Sequence, residues 1–237
     1  MRPDNPVVRL CAAGMRAEAE GQDERAHDLF ERAWQQAGDD YEACIAAHYL
    51  ARHRPTPEDT LRWNAESLRR AGLADQDAVA GFLASLHLNT ARSHRDLGDD
   101  AAARVHFEAA AGHLAALPAG PYADWTRNAV AEGLRATGAL PERDAEGPLR
   151  RLLAALCARA DLVTLGLLLP SWLGDLGTEE DRTRLLTVLN MAHASRRLPA
   201  EDLRTLRDAL AALSPAPQQE PAPASGSATV PATGSAP

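Results

Sequence analysis

The chain has 237 residues, 45% hydrophobic and 24% charged, enough to bury one sizeable core or two small ones. Its 25 basic residues are all arginine and the net charge is -8, so there is no long-range positive field to draw in nucleic acid. Aromatic residues make up only 4% while Ala, Leu, Arg and Glu abound, which predicts an all-helical fold and excludes a sheet-based one.

Met1 to Arg9 lacks a basic segment followed by an apolar stretch, so a cytoplasmic chain without a secretory signal is expected. The first helix pair is marked by Ala13-Gly14, a Gly21-Gln22 turn, then Ala26, Phe30 and Ala33. An alanine-rich stretch, Ala43 to Ala51, leads into the turn Arg54-Pro55-Thr56-Pro57. There Thr56 is placed as N-cap, Pro57 as first helical residue and Glu58 and Asp59 in the first turn. The helix it opens carries Leu61, Trp63, Asn64 and Leu68, and about nine extra residues around Gly72 to Asp77 are expected as a helix extension or loop. Thr90-Ala91, Gly98-Asp99, Ala103, Phe107 and Ala110 then repeat the first skeleton at the same intervals. A further helix is expected over about Pro121 to Ala136, with Trp125, Ala129 and Gly133 on one face against the preceding pair.

Beyond Pro148 the repeat is lost, but helices remain legible. Leu149, Leu152, Leu153 and Leu156 form a stripe, and Leu162 to Leu173 reads as a buried helix too short to span a bilayer. Thr178-Glu179-Glu180-Asp181 resembles a capping box, and Pro199 opens a last helix with Leu203, Leu206, Leu210 and Leu213 inward. After Ser214 the Pro-, Ala- and Ser-rich composition predicts a disordered tail.

The small residues, the turn and the aromatic on the second helix of each pair resemble the tetratricopeptide repeat. That resemblance implies a right-handed superhelical solenoid of helix pairs over residues 7–138, a helical capping region over 139–213 and the tail over 214–237. It also implies a concave face lined by the first helix of each pair, where a protein or peptide is bound. In this register the groove positions are Cys11, Met15 and Glu18, then Ile45, Tyr49, Arg52 and His53. Leu88, Asn89, Arg92 and Arg95 follow, then Arg127, Asn128 and Arg135. Of these, Tyr49, Arg52, Asn89, Arg92, Arg95, Asn128 and Arg135 are the expected ligand contacts. Arginine forks suit carboxylates and asparagines suit an extended backbone, so an acidic peptide is the expected occupant. The set is similar in kind to the carboxylate clamp of chaperone-binding tetratricopeptide domains, but repeat one supplies Met15 and Cys11 in place of a basic residue and an asparagine.

Chemistry is not indicated. There is no GxGxxG or Walker run after a strand, no H-E-x-x-H and no G-x-S-x-G, so neither a catalytic residue nor a cofactor site is expected. Cys11, Cys44 and Cys157 lack C-x-x-C spacing and are expected as buried, inert thiols. His87 and His94 share a helix face, as do His106 and His113, yet no acid or cysteine accompanies them and no metal is expected. Asp99-Asp100 and Glu179-Glu180 are expected to serve helix starts. A non-catalytic interaction module without nucleic-acid or membrane partners is the favoured reading. An enzyme or accessory subunit of unidentified chemistry, or a self-assembling structural protein, is the alternative.

Overall fold

The computed structural model describes residues 4–141 and 147–213. Among the described residues it contains eleven α-helices, two short 3-10 turns and no strand. The expected tail over 214–237 lies outside the described residues. The helices are α1 (Pro6–Ala19), α2 (Asp23–Gln36), α3 (Asp40–Leu50), α4 (Pro57–Leu73), α5 (Gln76–Asp96), α6 (Asp100–His113), α7 (Pro121–Ala136), α8 (Pro148–Ala158), α9 (Leu162–Leu173), α10 (Glu179–Ala194) and α11 (Ala200–Leu213). The extra residues between the second and third pairs lengthen α4 and α5 to 17 and 21 residues, leaving only Ala74 and Asp75 between them.

Local chemistry sets the boundaries. Side chains of Asn5, Asp39, Thr56, Asp75, Asp99, Asp161 and Thr178 accept the first free amides of their helices, as caps do. Helices α1, α5 and α7 end alike: Gly21, Gly98 and Gly138 adopt positive φ. The amides beyond them, of Gln22, Asp99 and Ala139, reach back to Ala17, His94 and Leu134 carbonyls. This is the six-to-one bond of a Schellman stop, which favours glycine because a Cβ is strained there.

The odd helices α1, α3, α5 and α7 touch in sequence, and α2, α4 and α6 pack on them. Phe30 and Phe107, both fully buried, fill the gaps between helices. A Cβ on Gly14 would lie 2.3 Å from Phe30, and one on Gly133 would lie 2.1 Å from Phe107. The two aromatics therefore use their glycines differently: Phe30 meets the helix before it and Phe107 the helix after. Phe30 also stacks on Tyr49 at 5.2 Å between centroids. Trp34 and Trp63 meet edge to face at 5.0 Å.

Two buried clusters serve this half, one within α1–α5 and one within α5–α7. A third, leucine-rich cluster is built by α8–α11. The expectation of a wholly buried helix over Leu162–Leu173 is corrected. Leu165 and Leu168 are buried, but Leu162 is 74% exposed and Val163 is exposed beside it, on the outer side of a first turn whose Thr164 and Leu165 face inward. Cys157 is likewise exposed, whereas Cys11 and Cys44 are buried. Burial pushes the Cys11 thiol up to about 12, which keeps it protonated and inert.

Gly133→Ala should destabilise the chain by about 1–3 kcal/mol through overpacking against Phe107. Gly81→Ala, in a helix with nothing within 4 Å of its Cβ, should instead stabilise it by about 0.5–1 kcal/mol. Urea unfolding of the two variants checks the opposite signs.

Candidate functional site

The row of odd helices carries three cavities that share walls. The largest, about 520 Å³, lies among α1, α3, α5 and the start of α7, where Met15, Ile45, Tyr49, Phe82, Leu86, Leu117 and Tyr122 give it an apolar lining. His48, Arg52, Ser85 and Tyr122 belong both to it and to a second cavity of about 410 Å³ bounded by Asn64, Asn89, Arg92, Asp96 and Trp125. Arg92 and Trp125 lead on to a third of about 460 Å³ with Asn128, Glu132, Arg135 and Leu173. Through these shared residues the three cavities form a channel along α3, α5 and α7.

Six of the seven expected contacts line this channel: Tyr49, Arg52, Asn89, Arg92, Asn128 and Arg135. Arg95 does not join them there, and its guanidinium faces Asp100 at 3.9 Å across the α5–α6 turn. Most of the arginines are engaged. Arg52 pairs with Glu18 at 3.1 Å, and Glu18 also takes His53 at 2.8 Å. Arg127 binds the Gly174 carbonyl and Asp181, and Arg135 binds the carbonyls of Ala131 and Asp175. Burial lowers the Arg135 pKa from its ordinary value, opposed by Asp175 and Asp181. Arg92 has no carboxylate partner among the described residues. Its guanidinium lies over the Trp125 ring at 5.1 Å, a cation–π contact.

Asp77, Asp96 and Glu132 also line the channel, so it is not the uniformly basic surface that the arginines suggested. The expectation that Cys11 and Leu88 face the groove is corrected, since both are buried in the helix packing. Trp125, expected to pack against the preceding pair, is 49% exposed and stacks with the exposed Tyr122 in the channel. His48 was overlooked by reasoning from outward positions. Burial, aided by Arg52, lowers its pKa to about 4, and its Nδ1 is buried without a hydrogen-bond partner. The signal available was its position, one residue before Tyr49 and four before Arg52.

A second cluster lies between α5 and α6. Nδ1 of His87 meets Nδ1 of His106 at 3.0 Å, His113 stacks on His87 at 5.6 Å and His94 stacks on His106 at 5.5 Å. The ring centroids of His87 and His106 are 5.3 Å apart, little more than the nitrogen separation plus one ring radius on each side. The nitrogens therefore meet head-on. Such opposed lone pairs share a proton, whereas metal ligands must converge on a common point. No group of three or more His, Cys, Asp or Glu side chains among the described residues is placed to hold a metal ion. Burial, then the neighbouring rings, lowers the His87 pKa to about 4, and burial with His94 lowers that of His106.

No described helix is long and apolar enough to cross a membrane. Comparison with protein-family models, curated proteins and solved structures found no match to this chain, so its functional reading rests on the channel itself.

Proposed function

We propose that the chain is a non-catalytic interaction module of tetratricopeptide type, whose stacked helix pairs form a solenoid and whose concave channel binds an extended peptide segment of a protein partner. The supporting fold features are the matched Gly21 and Gly98 stops, the Phe30 and Phe107 fillings and the uninterrupted contact of the odd helices. The observation that carries the binding reading is Arg92. It is a charged fork in the middle of a channel, held over Trp125 and left without an ion pair among the described residues. A carboxylate on the partner completes it, while the Asn89 and Asn128 amides are suited to peptide backbone.

Arg92 and Arg95 make opposite predictions although they stand three residues apart on one helix. A tagged full chain should capture the same partner equally from host extract before and after Arg95→Ala, and bind it up to about fivefold more weakly after Arg92→Ala. Equal capture by both variants would exclude the channel as the binding surface. A single exposed charge contact contributes roughly 0.2–1 kcal/mol, so capture is best followed by titration with the recovered partner at two salt concentrations.

A further inference from the structure

The largest cavity has a wall that the fold does not require. Gly81 lies inside the 21-residue α5, where glycine is the poorest ordinary helix former, and no atom beyond its chain neighbours and its own stretch of helix backbone stands within 4 Å of the place its Cβ would occupy. It borders the cavity, so the missing side chain leaves open space there. The remaining wall is mostly apolar and aromatic, and about 520 Å³ falls within the range of ligand pockets, roughly 300–1,000 Å³.

Building on the peptide-binding reading, we propose that this cavity is a side-chain pocket for one large aromatic residue of the bound peptide, and that the same peptide places a carboxylate on Arg92 about five residues away. The spacing follows from α5. Gly81 in the pocket wall and Arg92 are eleven residues apart and on nearly the same face of α5, about 16 Å along a helix that rises 1.5 Å per residue. An extended peptide advances about 3.3 Å per residue and covers that distance in about five. Charge fixes one end, because Arg92 makes no ion pair among the described residues, although Asp96 and Glu132 line the same cavities. Shape fixes the other, because Tyr49, Phe82 and Tyr122 offer ring faces and edges. His48, neutral and lining both cavities, lies between the two subsites.

The test is selection of a random dodecapeptide phage library on the immobilised full chain, followed by anisotropy titration of labelled selected peptides. The expected result is enrichment of an aromatic residue about five positions from Asp, Glu or a free C-terminus. Replacing that aromatic with alanine should weaken binding about thirtyfold, the scale of a buried anchor. Replacing the acid with its amide, or amidating the terminus, should weaken it about fivefold and identifies which carboxylate is used.

Gly81→Leu, which fills the pocket from a helical position with room for it, should abolish the preference for the aromatic while Arg92→Gln abolishes only that for the acid. Circular dichroism of both variants should match the parent. Peptides that need Arg92 but carry no aromatic and bind Gly81→Leu equally overturn the pocket and leave the channel reading intact. Peptides indifferent to both substitutions, or a selection that enriches nothing, overturn the channel reading itself.

Discussion

The melting temperature of the chain should stay level from pH 8 to about 6.5 and then fall by about 5–10 °C by pH 4.5. Folding encloses the imidazoles of His48, His87 and His106 and lowers their pKa, to about 4 for the first two. An unfolded imidazole titrates near 6.5, so as the pH drops the unfolded chain takes up protons first. Stability from these rings is complete above about 6.5 and is lost as the pH falls towards 4, the sign required when the folded state binds fewer protons.

One pKa unit corresponds to about 1.4 kcal/mol, so His48 accounts for up to about 3 kcal/mol. His87 and His106 retain some exposure and contribute less. Arg52 faces His48, while His113 and His94 flank the head-on pair, so each proton added meets an existing or nascent charge. In a chain of this size about 1 kcal/mol shifts melting by roughly 2–4 °C. Replacing the pair with His87→Phe and His106→Leu removes its share and should make the fall shallower. Melting that stays flat down to pH 4.5 would mean that the three rings are as solvated folded as unfolded.

Most of the helices were legible in the sequence because their signals are local. Thr56 caps α4 and Thr178 caps α10 from within three residues of the amides they bind, and Gly21 and Gly98 stop their helices through bonds five residues long. The aromatic-to-glycine packing was half legible. Phe30 and Phe107 shared a pattern, but Gly133 as the seat of Phe107 comes from the next helix.

The site was less legible because its charges are decided by partners far along the chain. Arg127 and Arg135 have outward positions on α7 in any helical wheel, yet both are held by the α9–α10 turn, 40 or more residues away. Arg92 and Arg95 look equivalent at three-residue spacing until Trp125 and Asp100 separate them. His48 and Gly81 carry no motif, and only the cavity shows what they border. The exposure of Leu162 and Val163 escaped a reading by hydropathy for the same reason: apolar content marks a helix as buried without saying which of its residues face outward.

The largest effect of a single substitution away from the aromatic cores is expected at Asp181. Its carboxylate is almost wholly buried at the first turn of α10 and accepts from the Leu176 amide, the Thr178 hydroxyl and the guanidiniums of Arg127 and Arg184. Burial raises the pKa, but these bonds together outweigh it and hold the carboxyl below its ordinary value. The residue therefore ties α7 to the turn that begins the α10 side of the leucine-rich core. Asp181→Ala leaves the Arg127 guanidinium, a buried amide and a hydroxyl without their acceptor, and should cost about 3–5 kcal/mol. Asp181→Asn keeps an acceptor for the amide and loses only the charge, so a smaller loss is expected.

Removing both charges with Arg127→Met and Asp181→Leu should recover much of the deficit, because a buried pair replaced by apolar groups no longer strands one partner. Urea unfolding, with hydrogen exchange followed on α10, separates the cases. Loss confined to α10 protection means that the second half undocks while α1–α7 stays folded, whereas a uniform drop means that the halves unfold together. Should Asp181→Ala and the double variant be equally unstable, the carboxylate's bonds to Leu176 and Thr178 would be holding the turn, and the arginine would be a bystander to stability.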